Sequence, residues 1–227
     1  MNSSRNVCYC TLYKVFTWVG VAVALGCATP VAALAAGAQD TDASLDSIAV
    51  ATDPHAHHRH MLEHQGYSRS LHSYKLPDSS LVNIKGEKTS LGKEVDIDRP
   101  VMLNFIFTTC TTICPVMSAT FSQIQQQLPE QEQVRMISIS IDPEHDTPGR
   151  LQDYSLRYKA GPRWHFLTGK LDDIVTVQKA FDAYRGSKVN HVPLTFLRAS
   201  SREPWVRLEG LASPTEVISE YRQLVAD

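Results

Sequence analysis

The run Val101-Met102-Leu103-Asn104-Phe105-Ile106-Phe107 constrains the fold of this 227-residue chain more than any other feature. It is too short and too rich in β-branched and aromatic residues for a core helix. It suits a central strand covered on both faces, as in the parallel part of an α/β sheet. Directly after it comes Thr108-Thr109-Cys110-Thr111-Thr112-Ile113-Cys114-Pro115, and then Ile113, Met117, Phe121, Ile124 and Leu128 recur at helical spacing. A strand therefore runs into a helix that starts near Thr112, with Pro115 tolerated in the first turn. Both cysteines lie at the junction.

The rest of the chain repeats the alternation. Strands are predicted over 134–141, 164–167, 194–197 and 205–208. Helices are predicted from a Thr147 or Asp146 cap to about Tyr158, over 172–184, and from a Ser213 cap with Pro214 in first position to the C-terminus. This pattern predicts an α/β domain over 67–227, a central sheet flanked by helices. About 160 residues are enough for one domain with its own core and no disulfide staples.

The N-terminal part reads differently. Arg5 and Lys14 precede an uncharged stretch, Val15 to Gln39, the layout of an export signal or a membrane anchor helix. Three fates are open: retention as an anchor, cleavage at the small-residue patterns around Ala33–Ala35 or Ala36–Ala38, or lipidation at Cys27, which follows Ala24-Leu25-Gly26. Each places the domain outside the cytoplasm, on the outer face of the bacterial cytoplasmic membrane or free in the periplasm. Residues 40–66 form a polar spacer holding His55, His57, His58, His60, Met61 and His64. This tract either is solvated or serves as an auxiliary metal site.

Cys8, Cys10 and Cys27 lie in the leader, so the exported domain keeps Cys110 and Cys114 alone. In an oxidising compartment two cysteines four positions apart form a disulfide or bind a metal. A purely structural bridge would close a tiny loop and restrain the unfolded chain little. The helix N-terminus favours thiolate at both, and thiolates are soft ligands that select Cu(I). His191, in Asn190-His191-Val192-Pro193 just ahead of a predicted strand, is the leading candidate for a third donor, against the plainer reading of a core or surface histidine. Pro193 suits a loop beside redox cysteines as well. A net charge of −2 with scattered Lys and Arg gives no footprint for nucleic acid.

Three segments, Phe107-Thr-Thr-Cys110-x-x-x-Cys114-Pro115, Ser138 to Pro148 with Asp142-Pro-x-x-Asp146-Thr147-Pro148, and Asn190-His191 ahead of Phe196-Leu197, resemble in order the signatures of the Sco/SenC family. The similarity runs from about Tyr74 to Asp227. It implies a thioredoxin-like fold, a leader anchor, and a copper site of Cys110, Cys114 and His191 for Cu(I) and also Cu(II). It also implies delivery of copper to the copper-receiving subunit of cytochrome c oxidase or another cuproprotein, or reduction of that subunit's cysteines. Two departures stand out: Asn190 where the family has Asp, and a shorter stretch from Phe181 to His191 where it carries a hairpin. For Asp142 and His145 the readings are a capped turn or a place near the metal. The competing function is a thiol-disulfide oxidoreductase acting on a periplasmic partner, against which the wider Cys-x-x-x-Cys gap argues. A peroxidase would need an Arg and Thr arrangement that the sequence does not offer.

Overall fold

The computed structural model describes residues 66–226. The leader, the His55–His64 tract and Asp227 lie outside the described residues.

Eight strands form one mixed sheet: β1 (Tyr67–His72), β2 (Ser80–Asn83), β3 (Lys88–Ser90), β4 (Val101–Ile106), β5 (Arg135–Ser140), β6 (Trp164–Gly169), β7 (Leu194–Arg198) and β8 (Trp205–Gly210). Their order across the sheet is β1-β8-β7-β4-β5-β6-β2-β3. β4, β5 and β6 run parallel, and the remaining pairs are antiparallel. Five helices accompany them: α1 (Leu91–Val95), α2 (Ile113–Gln127), α3 (Pro148–Arg157), α4 (Leu171–Ala180) and α5 (Pro214–Ala226).

The apolar run is the centre of the sheet, as its composition requires. Every residue of β4 is buried, and its side chains alternate between two cores. Met102 and Ile106 join Phe121, Ile124, Trp164, Phe166 and Tyr221 on one face. Val101, Leu103 and Phe105 join Leu167, Phe181, Phe196 and Trp205 on the other. Asn104, the polar residue of the run, accepts a hydrogen bond from the Ser138 hydroxyl at 2.7 Å, and Ser138 accepts in turn from Trp164 Nε1 at 2.9 Å.

The predicted strands and the helices α2, α3 and α5 are found within a residue or two at their ends. Thr147 is the cap of α3, its hydroxyl accepting from the Arg150 N–H. Ser213 and Glu216 close a reciprocal capping box at α5. The helix expected over 172–184 stops at Ala180. Phe181 plugs into the aromatic core, Asp182 turns to a φ of 49°, and buried Arg207 donates to the carbonyls of both. A tertiary contact from β8 thus ends the helix. The β2–β3 hairpin and α1 were not foreseen.

The register positions the site. The β4–β7 pairs run from Val101–Arg198 to Asn104–Thr195, so continuing the antiparallel register brings residues 191–193 alongside 106–108. Parallel β5 pairs Ser140 with Ile106, which sets the loop after β5 against the same point. Three loops therefore meet at the carboxyl end of β4.

Phe105→Ala removes a fully buried ring from the core behind this junction and is expected to cost about 3–5 kcal/mol. Val189→Ala, at a side chain 81% exposed, is expected to change stability by no more than about 0.5 kcal/mol. Urea unfolding of the two variants checks the contrast.

Candidate metal and thiol site

The first loop carries the cysteines. It turns tightly, the Cys110 N–H donating to the Phe107 carbonyl at 3.1 Å. The Cys114 N–H, in the first turn of α2, donates to Cys110 Sγ at 3.4 Å. Both thiols are free, Cys110 partly exposed and Cys114 wholly buried. The sequence treats the pair as equals at a helix N-terminus, and the structure corrects this. Burial works against the Cys110 thiolate, but donors from Cys114 and Thr112 outweigh it and hold the thiol below its ordinary range. At Cys114 burial dominates and pushes the thiol far up, with the charges of Cys110 and Asp146 acting in the same direction. The four-residue spacing turns Cys114 into the core face of α2 and leaves Cys110 at the mouth.

The second loop follows β5 and is built around Asp146, which is fully buried. Its carboxylate accepts from the Thr108 N–H at 3.0 Å, the Thr108 hydroxyl at 2.5 Å and the Ser140 hydroxyl at 2.6 Å. A buried carboxylate needs such partners, and here they fasten the cysteine loop to β5. Sequence reading offered Asp146 only as a helix cap. The segment Asp142-Pro-x-x-Asp146-Thr147-Pro148 carries no signal of a contact to Thr108, 38 residues earlier. His145 Nδ1 accepts from Arg150 at 2.6 Å, so this ring is engaged along its own loop.

The third loop brings His191. Its Nε2 stands 3.0 Å from the Phe105 carbonyl. A carbonyl only accepts, so Nε2 carries the proton and Nδ1 the free lone pair. The ring packs edge-on against Phe107, centroids 6.3 Å apart. Burial lowers the imidazole's proton affinity more than the Phe105 carbonyl restores it, and Arg185 lowers it further. The ring is therefore neutral at neutral pH and able to ligate. Asn190 does not orient it, since its amide donates to the Arg185 carbonyl at 3.4 Å. Asp142 reaches this loop through an ion pair with Lys188, Nζ to Oδ2 2.5 Å.

The structure thus brings Cys110 and Cys114 together and places His191 one loop away, against the residues leading to them. Among the described residues, no three His, Cys, Asp or Glu side chains already stand in a common metal-binding cluster. The donor set suits copper, with two soft sulfurs and a neutral imidazole. For His191 to join the two sulfurs, the ring has to bring its free Nδ1 to them from its present place.

Residues 75–226 match the SCO1/SenC family. This chain belongs to that family. A SCO1 protein homolog from Bacillus subtilis is 44% identical to it over 70 residues, which are 30% of this chain and 36% of that protein. The chain therefore aligns with about a third of that curated relative's length. BsSco, described as a member of the Sco family of cytochrome c oxidase assembly proteins and as holding a disulfide switch, shares 27% identity at a TM-score of 0.58. That match covers 69% of this chain and 96% of BsSco. ScoI of Bradyrhizobium japonicum, solved with copper bound, superposes at a TM-score of 0.54 and 22% identity over 65% of this chain and 98% of its own, a likeness of fold. The α/β architecture with a central mixed sheet is that of the Sco structures. Among the described residues no helix is long and apolar enough to cross a membrane.

The asymmetry of the thiols predicts their chemistry. Because the Cys110 thiol is held down, its thiolate is present at a pH below the free-cysteine midpoint of about 8.5. Its alkylation rate should rise through a correspondingly lower midpoint. Cys114, buried and shifted up, should stay at least about tenfold slower across the neutral range. Iodoacetamide kinetics on the reduced protein, read by peptide mass spectrometry, checks both, and equal rates would contradict the assignment.

Proposed function

We propose that this protein binds one copper ion through Cys110, Cys114 and His191 and passes it to the copper-receiving subunit of cytochrome c oxidase or to another cuproprotein. The observation that carries this reading is the convergence at the end of β4. Two cysteines with free thiols are joined by the backbone N–H of Cys114 donating to Cys110 Sγ, and a neutral imidazole is packed on Phe107 in the adjoining loop. Membership of SCO1/SenC supports copper as the cargo, and the soft donor pair supports Cu(I), with Cu(II) admitted by the imidazole. The uncharged stretch at 15–39 supports action at the periplasmic face of the cytoplasmic membrane, tethered or released by cleavage.

The sequence of events follows from the geometry. Cys110 is deprotonated first and lies at the mouth, so it takes the ion first. Cys114 gives up its proton as the metal replaces it, since metal binding displaces protons from thiols. His191 then brings its free Nδ1 to the metal and closes the site.

A second reading has its own support. An accessible low-pKa thiol followed by a buried high-pKa one is the pairing that thiol-disulfide exchange uses. In that reaction the Cys110 thiolate attacks a partner disulfide and releases one partner thiolate. Cys114 then attacks the mixed disulfide and releases the other, leaving this protein oxidised by two electrons and the partner reduced. Both readings use one site, and copper and disulfide formation exclude each other there.

Copper titration of the reduced domain separates them. The expected result is one tight equivalent, lost in Cys110→Ser and Cys114→Ser. In His191→Ala the affinity should fall at least about tenfold, or about 1.4 kcal/mol. Absence of a stoichiometric site in the parent, with rapid reduction of a partner disulfide, would favour the exchange reading.

A further inference from the structure

The loop carrying His191 has few ties to the body of the domain. Between Tyr184 and His191, the hydrogen bonds among the described residues are mostly internal to the segment or reach back to its start. Tyr184 reaches Gly186, Arg185 reaches Asp182 and Tyr184, Ser187 caps Val189, and Asn190 returns to Arg185. The short 3-10 turn Lys188–Asn190 closes on itself through Asn190 N–H to Ser187 and His191 N–H to Lys188. Val189 at its crest is 81% exposed, so the turn buries little that would hold it down.

Two hydrogen bonds cross to other elements. One is the His191 Nε2–H bond to the Phe105 carbonyl, which fixes where the free Nδ1 lone pair stands. The other is the ion pair of Lys188 with Asp142. Asp142 is a firm anchor, because it is buried and its N–H donates to Ser140 Oγ at 3.0 Å. That hydroxyl in turn donates to Asp146, which holds Thr108. The Lys188 ammonium also lies 5.9 Å over the Phe107 ring, the ring against which His191 packs. Lys188 therefore ties the His191 loop to the cysteine loop through a chain of polar contacts.

We propose that the Lys188–Asp142 ion pair is a latch that keeps His191 on the Phe105 carbonyl, and that its opening releases the imidazole to complete the metal site. Lys188 and Asp142 are positioning residues, acting through the placement of His191. The role in metal capture rests on the copper reading above, whereas the restraint on His191 is a property of the metal-free protein.

The pair is half open to solvent, with the Lys188 side chain 43% exposed, so added salt weakens it. The restraint can therefore be read without copper, as the rate at which diethylpyrocarbonate modifies His191 in the full chain, followed by peptide mass spectrometry with His145 as an internal control. Lys188→Met, which keeps an unbranched side chain without the charge, and Asp142→Asn, which keeps the shape, should each raise the His191 rate about threefold or more. The double variant should add little to either, since both remove one bond. Lys188→Arg should stay near the parent. Raising the salt should speed the parent and leave Lys188→Met unchanged. In stopped-flow, the same two single variants should close on Cu(I) faster than the parent. Unchanged His191 rates in both single variants, or equal effects of Met and Arg at position 188, would overturn the latch. If the latch variants expose His191 but no form of the protein binds copper, the copper reading fails and the latch stands.

Discussion

The carboxylate of Asp146, shut away from solvent, holds the site together. An ionised group in that position is costly unless donors replace its water, and here three donors do: the backbone and hydroxyl of Thr108 and the hydroxyl of Ser140. The requirement acts in both directions. Asp146 has a place only where the end of β4 and the end of β5 come side by side, and once there it fixes the turn that presents Cys110. The same carboxylate adds to the forces that keep Cys114 protonated. The unequal thiols thus follow from one buried charge, one helix start and the depth at which α2 enters the core.

The strand that brings these groups together was plain in the sequence, and the reason is physical. A run such as Val101–Phe107 has no stable home outside a doubly covered strand, and the apolar stripe from Ile113 to Leu128 leaves one face for α2 to bury. Thr147 and Ser213 were legible as caps because their hydroxyls act on residues three positions away. What stayed hidden depends on contacts far apart in the chain. His191 meets Phe105 across 86 positions, a distance set by the β4–β7 register. The early stop of α4 depends on Arg207 from β8, and the Lys188–Asp142 pair spans 46 positions. The difference between the two cysteines was hidden for a related reason. Spacing places both near the helix start, but only the packing of α2 shows which of them faces the core.

On the proposed readings, one site serves two chemistries. A thiolate at the surface with a thiol beneath it is suited to receive either a soft metal or an incoming disulfide. What separates the outcomes is the third donor. With His191 in its present place, outside a common cluster with the sulfurs, the cysteines are left to each other; with its Nδ1 brought to them, a metal would gain a nitrogen that a disulfide cannot use.

The central claim is that these three side chains form the copper site. X-ray absorption at the copper edge on the Cu(I)-loaded protein tests it most directly, because sulfur and imidazole scatter distinguishably. The account predicts two sulfur neighbours at one distance and one nitrogen neighbour with the outer-shell signature of an imidazole ring. In His191→Ala that signature should be lost and the two sulfurs retained. A spectrum of the parent protein with sulfur alone, or an imidazole signature that survives His191→Ala, would contradict it.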